Sequence, residues 1–290
     1  MSWYGSKPYL AILRPKQWTK NLLVFAALIF SIKIVTATML LRCIAGFSLF
    51  CLVSGCVYVL NDYIDRDADR KHPEKCHRPI ASGQLKPRPA LAFGCLLLLS
   101  SLTLAWVLDS WFSVLLFGYF IINVAYSLKL KHVVIIDIMV IAVGFVLRAI
   151  GGGLVIGIDF TPWFLICTML LALFLAISKR RHELYLFSEN KGEHRKVLEQ
   201  YSPELLNQLN SIVTTAAIMS YSLFTFTSGH TIHLMWTIPL VMYGIFRYLY
   251  LIHMKGKGGR PEEILLEDGH ILTTVMIFAV MVIVILYYFE

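Results

Sequence analysis

Residues 39–70 read MLLRCIAGFSLFCLVSGCVYVLNDYIDRDADR, and the change of character just after Tyr58 decides what kind of protein this is. Up to Leu60 the run carries one charge, Arg42. As a helix rising about 1.5 Å per residue it is long enough to cross a hydrocarbon layer of about 30 Å. Asp62, Asp65, Asp67 and Asp69 then follow in quick succession. A nearly charge-free helix that ends in a crowd of carboxylates fits a membrane span emerging into water.

The rest of the chain repeats the first half of that pattern. Hydrophobic residues make up 58% of its 290 residues and charged ones 15%, against about 25% charged in an ordinary soluble domain. Apolar runs near 18–35, 39–60, 88–107, 111–128, 133–156, 161–178, 207–228, 233–253 and 271–289 predict about nine transmembrane helices, an all-α polytopic bundle in one domain spanning residues 1–290. The formal charge is +8, but its location argues against nucleic acid as the partner. Of 26 Lys and Arg, 22 fall in residues 1–20, 61–90, 128–132, 179–206 and 255–260. These lie between alternate spans, so the positive-inside rule puts them in the cytoplasm of a multi-pass cell-membrane protein. The six cysteines form no CxxC pair and mostly sit in apolar runs, as small buried hydrophobes. Residues 61–88 and 179–206 are the long, charged inward loops, where function is expected.

At about 100° per residue, a helix continued through Asp69 puts Tyr58, Asn61, Asp62, Asp65 and Asp69 on one face and turns Asp67 away. Carboxylates and an amide on one face repel unless a cation neutralises them. Oxygen ligands without His or Cys suit Mg²⁺ sharing a substrate phosphate. A solvated acidic face is the bland alternative. An EF-hand is excluded, because Arg70 stands where its glycine belongs and Cys76 where its glutamate belongs.

Asn61-Asp62-x-x-Asp65-x-x-x-Asp69 is similar to the NDxxDxxxD motif of the UbiA superfamily of membrane prenyltransferases. Arg14-Pro-Lys-Gln-Trp-Thr-Lys-Asn21, His72-Pro-x-Lys75-x-x-Arg78-Pro-Ile-Ala-x-Gly83, Ala125-Tyr126 with Leu130-Lys131-His132 and Asp137, Gly144-Phe-x-x-Arg148-Ala-Ile-x-Gly-Gly, and Lys179-Arg180-x-x-Glu183-Leu extend the match. Together they resemble the decaprenyl-phosphate phosphoribosyltransferase branch, over about residues 12 to 270. Aromatic-acceptor prenyltransferases of the superfamily usually carry a second Asp-rich cluster after the sixth span. Lys179-Arg180-Arg181-His182-Glu183 stands there instead, a segment that attracts phosphate and binds a second metal poorly.

The resemblance implies a bundle around a central cavity and an enzyme facing the cytoplasm. Its implied reaction is Mg²⁺-dependent transfer of a 5-phosphoribosyl group from 5-phosphoribosyl 1-diphosphate to a decaprenyl-like polyprenyl phosphate, releasing diphosphate for cell-wall lipid-linked sugar synthesis. Asn61, Asp62, Asp65 and Asp69 are the expected metal ligands, with the three aspartates catalytic. Lys20, Tyr58, Lys75, Arg78, Tyr126 and Lys131 are expected on the substrate, together with Arg148, Lys179 and Arg180 toward the lipid phosphate. Asp137 and Arg148 lie about 20° from alignment on one helix, and an intramembrane ionisable residue normally faces a cavity or a partner. The alternatives are a UbiA-type prenyl transfer from an isoprenoid diphosphate to an aromatic or other small acceptor, and a transporter of an anionic solute. A homo-oligomer is left open.

Overall fold

The computed structural model describes residues 8–30, 35–71, 75–188, 196–256, 264 and 267–289. Every regular element among them is helical. Eight spans are long and apolar enough to cross a membrane: α1 (Ala37–Ile64), α2 (Pro87–Leu108), α3 (Ser110–Leu128), α4 (Ile136–Ile156), α5 (Pro162–Ser188), α6 (Pro203–Thr227), α7 (Ile238–Met254, preceded by the 3-10 turns Ile232–Thr237) and α8 (Gly269–Phe289). The first of the nine expected spans, 18–35, is different. Its described part is a 3-10 run, Pro15–Phe25, followed by one α turn, Ala26–Ile29. Residues 31–34 of that span, and His72 and Pro73 of the quoted motifs, lie outside the described residues. The polar run Lys16-Gln17 and Thr19-Lys20-Asn21 explains why this segment falls short of one uniform apolar helix.

Helix starts follow local chemistry. Thr36 Oγ1 accepts the Met39 N–H at 3.2 Å to cap α1, and Ser202 Oγ accepts the Leu205 N–H at 3.1 Å to cap α6. Pro87 and Pro203 open α2 and α6, where a missing N–H costs nothing.

The chain divides into two compact units, one of residues 1–26, 36–128 and 150–158, the other of 27–35, 129–149 and 159–290, so α4 contributes to both. In the first unit α1 packs on α2, α3 and the 3-10 run. Gly152 admits that run: a Cβ there would stand 2.1 Å from the Val24 carbonyl oxygen. Arg42, the one charge in the opening apolar stretch, donates to the carbonyls of Val155 and of Leu108 and so serves two helix C-terminal ends. In the second unit α5 and α6 form the most extensive helix pair. The core between them and their neighbours is built from residues such as Phe174, Ile177, Leu206, Val213 and Tyr248.

Candidate active site

A helix of 28 residues such as α1 is about 42 Å long, roughly 12 Å more than the hydrocarbon it crosses. That surplus lets its last turns, which carry Tyr58, Asn61 and Asp62, stand at the edge of the bilayer. The helix ends at Ile64. Asp65 adopts φ −86° and ψ 2° and breaks the run, after which Arg66–Asp69 form one further turn. Bonding at helical spacing persists on both sides of the break, from the Asp65 N–H to the Asn61 carbonyl at 2.9 Å and from the Asp69 N–H to the Asp65 carbonyl at 2.8 Å. Asp67 is turned outward, as the helical reading requires, and its side chain is 70% exposed.

The remaining acidic residues do not form the single carboxylate row that an unbroken helix predicts. Asp62 is 1% exposed and Asp69 is also buried, and arginines from two other segments meet them. Arg14 Nη2 lies 2.5 Å from Asp62 Oδ1. Arg78 Nη1 lies 2.7 Å from Asp69 Oδ2 and 3.4 Å from Asp62 Oδ1. The Arg14 guanidinium also covers the Tyr58 ring, 4.7 Å from its centroid. Arg14 reaches this position from a left-handed backbone, φ 51° and ψ 63°, directly before Pro15. Such a conformation costs a non-glycine residue about 1–3 kcal/mol, and a following proline disfavours it further. Buried packing of Ile12, Leu13, Val59, Ile80, Leu85 and Ala90 holds the segment in place.

Two oxygens in this cluster are buried without a hydrogen-bond partner among the described residues, Asn61 Oδ1 and Asp62 Oδ2. An unpaired buried polar atom costs roughly 1–3 kcal/mol, and these two stand on consecutive residues at the end of α1. Both are hard oxygen donors, the type Mg²⁺ takes. No three His, Cys, Asp or Glu side chains among the described residues converge as a metal set, and Asp69 faces Arg78. The donor set therefore fits a cation that keeps water and takes further oxygens from an anionic substrate, and does not form an all-protein cage. Asp65 is half-buried at the break in the helix. Lys20, Tyr58, Lys75 and Tyr126, also of the first unit, are half-buried as well.

Lys131, Arg148, Lys179 and Arg180 belong to the second unit. Helix α5 runs on through Ser188, so Lys179–Glu183 is helical and not the start of a loop. Arg180 is 1% exposed. Its Nε donates to Asp137 Oδ2 at 2.6 Å and its Nη1 to Glu183 Oε2. Tyr201 Oη donates to the other Asp137 oxygen at 2.7 Å and accepts the Ile135 N–H at 2.8 Å. Burial, and then the hydrogen bond to Asp137, hold the Tyr201 hydroxyl well above the usual phenol range. Arg148 is buried too. Its Nη1 donates to the Gly144 carbonyl at 2.8 Å, and its guanidinium stands 5.1 Å from the Phe145 ring centroid. The angular alignment of Asp137 with Arg148 therefore does not make them partners: eleven residues are about 16 Å along a helix, too far for contact. Lys131 and Lys179 are half-buried.

The sequence reading gave no role to Arg14, Glu183 or Tyr201. Arg14 opens the Arg14–Asn21 motif, and that membership was the available signal; Tyr201 offered none, since its partner is 64 residues away.

The described residues, helical in every regular element and carrying eight membrane-length spans, define a polytopic membrane protein. Comparison gives the particular kind. A model of the UbiA prenyltransferase family matches residues 21–262, and the chain belongs to that family; it is a membrane transferase of the UbiA superfamily. It is 33% identical over 270 residues to the decaprenyl-phosphate phosphoribosyltransferase of Mycolicibacterium smegmatis, which covers 88% of this chain and 85% of the relative. It is 31% identical over 261 residues to the decaprenyl-phosphate phosphoribosyltransferase of Mycobacterium tuberculosis, with 88% and 86% covered. Its fold matches a solved UbiA homolog from Archaeoglobus fulgidus bound to DMAPP and Mg²⁺. The TM-score is 0.74 at 20% identity, over 97% of this chain and all of that one.

Proposed function

We propose that this transferase moves a 5-phosphoribosyl group from 5-phosphoribosyl 1-diphosphate to a polyprenyl phosphate, with Mg²⁺, at a site open to the cytoplasm. The observation that carries this reading is in the second unit. Glu183, the one acid in Lys179–Glu183 where a second Asp-rich cluster would stand, is bonded to Arg180, as is the buried Asp137. One metal-bound diphosphate and a separate, metal-free phosphate fit that arrangement better than two metals do. The relatives of 31–33% identity bear names of the same reaction, and the concentration of Lys and Arg between alternate spans supports the cytoplasmic orientation.

In this reading Asn61 and Asp62 hold the metal through the oxygens that lack protein partners, and Asp65 and Asp69 add negative charge around it. The ion, when bound, stabilises charge on the departing diphosphate. Lys20, Tyr58, Lys75, Arg78 and Tyr126 bind the donor's phosphates. Lys131 adds to the donor-phosphate contacts, Arg148 and Lys179 bind the acceptor phosphate, and Arg180, paired with Asp137 of α4, acts as a positioning residue that holds α5 and with it Lys179. The bond from ribose C1 to the diphosphate oxygen breaks with its electron pair leaving on the diphosphate. An anionic oxygen of the lipid phosphate forms the new bond to C1, so no base has to remove a proton. Positioning and electrostatic complementarity supply the rate.

The test uses purified protein in detergent with Mg²⁺, a polyprenyl phosphate and phosphoribosyl diphosphate labelled in the ribose. Label is expected in the lipid phase. No transfer, together with turnover of a prenyl diphosphate and an aromatic acceptor, would replace this reading by prenyl transfer.

A further inference from the structure

We propose that Arg14 and Arg78 are resident counter-ions that close the Asp-rich end to a bare divalent cation and admit one only together with a diphosphate. The inference rests on the metal and diphosphate roles proposed above; it assigns a duty to Arg14, which those roles leave open, and a second duty to Arg78 beside its donor-phosphate contact.

Charge balance is the first reason. Asp62 and Asp69 are buried, and Arg14 and Arg78 lie against them, so the four side chains sum to zero. A bare cation approaching Asn61 Oδ1 and Asp62 Oδ2 meets one guanidinium within 2.5 Å and another within 3.4 Å of the other oxygen of the same carboxylate. Repulsion from two positive charges offsets attraction to the carboxylates. Ligand count is the second reason: two unpartnered oxygens fall short of the roughly six that Mg²⁺ requires. A diphosphate removes both obstacles, because it brings several negative charges and several oxygens.

The arginines are built for that exchange. Their side chains are buried on the carboxylate side yet remain 28% and 23% exposed, so an anion can reach them. A guanidinium fork fits phosphate oxygens as well as it fits carboxylate. Arg14 is no casual surface partner. A left-handed backbone before Pro15, the Tyr58 ring and the buried neighbours Ile12 and Leu13 fix its direction. Its charge is thus held at the metal end whether or not a substrate is present.

The experiment is a titration of the full chain in detergent, without lipid acceptor or ribosyl donor. Bare Mn²⁺ binding is followed by the EPR signal of free Mn²⁺, and retention of radiolabelled inorganic pyrophosphate is measured with Mg²⁺. Wild type should bind bare Mn²⁺ weakly and retain pyrophosphate. Arg14→Gln should bind bare Mn²⁺ about tenfold more tightly or better, since a fixed opposing charge is gone, and should retain pyrophosphate about tenfold less well. Arg14→Lys, which keeps the charge, should stay within about threefold of wild type for bare Mn²⁺. A merely structural arginine would not raise metal affinity when removed. Folded Arg14→Gln protein with wild-type affinities would overturn the inference and leave the proposed reaction intact. If Arg14→Gln does not fold, Arg78→Gln carries the same test with the same outcomes. Wild type that retains no pyrophosphate with Mg²⁺ would overturn both the inference and the metal role. Success in this titration beside failure of ribosyl transfer to lipid would leave the counter-ion role standing and remove only the phosphoribosyl reading.

Discussion

Among the described residues, the buried acids and arginines around Asp62 and those around Asp137 are finished differently. Around Asp137 both carboxylate oxygens are engaged, one by Arg180 and one by Tyr201, and the same Arg180 also bonds Glu183. Around Asp62 one oxygen is engaged by Arg14, and among the described residues neither the other nor the neighbouring Asn61 oxygen has a hydrogen-bond partner. Burial of charge alone therefore does not mark a binding site. A saturated cluster holds helices together, whereas open oxygens cost roughly 1–3 kcal/mol per group and give the Asp62 cluster the capacity to take a ligand in the proposed function.

Substitutions should separate the two. The largest effect is expected at the incomplete cluster. Asp65→Ala should lower transferase activity by about a thousandfold, near 4 kcal/mol of barrier, with membrane insertion and thermal unfolding in detergent unchanged; wild-type turnover in the lipid-labelling assay would remove Asp65 from the site. At the saturated cluster, Asp137→Ala leaves the Arg180 charge buried against Glu183 and Tyr201, and should cost about 3–5 kcal/mol of stability. Its unfolding midpoint is the measurement, and an unshifted midpoint would mean that the cluster is not structural. Gly152→Ala lies outside both clusters and calibrates packing: a Cβ set 2.1 Å from the Val24 oxygen should destabilise by about 1–3 kcal/mol, read from the same melts.

Tyr201→Phe should give the smallest change, about 1 kcal/mol for the lost hydrogen bonds, and a distinctive pH effect. Because the folded-state pKa of Tyr201 is raised above its unfolded value, its contribution is fully present below pH about 10 and is lost as pH rises beyond that. Wild type should therefore lose stability above about pH 10 more steeply than Tyr201→Phe. Parallel pH profiles would show that the tyrosine does not carry the effect.

The spans were legible because a bilayer imposes one rule on every helix, an apolar run of sufficient length, and eight of the nine expected runs have helical spans that follow it. The first run was misread as a single helix because hydropathy cannot distinguish a 3-10 segment rich in polar residues from a helix once the window average is high. The position of Asn61 and Asp62 at the end of a span was legible from the hydropathy pattern. The helical break at Asp65 was not, nor was the pairing of Asp62 with Arg14 and Arg78, which are 48 and 16 residues away from it. Arg180 looked like an open phosphate ligand because a row of basic residues reads as exposed. Whether an arginine meets substrate or an acid of its own chain depends on which helix packs beside it.

Thus the order of residues settled the helical class, the membrane environment and the acidic end of α1, because these follow from local hydropathy and spacing. Only the tertiary structure decided which carboxylate oxygens are satisfied and which are open, because that requires distant arginines, a tyrosine and a strained backbone to arrive within hydrogen-bonding distance.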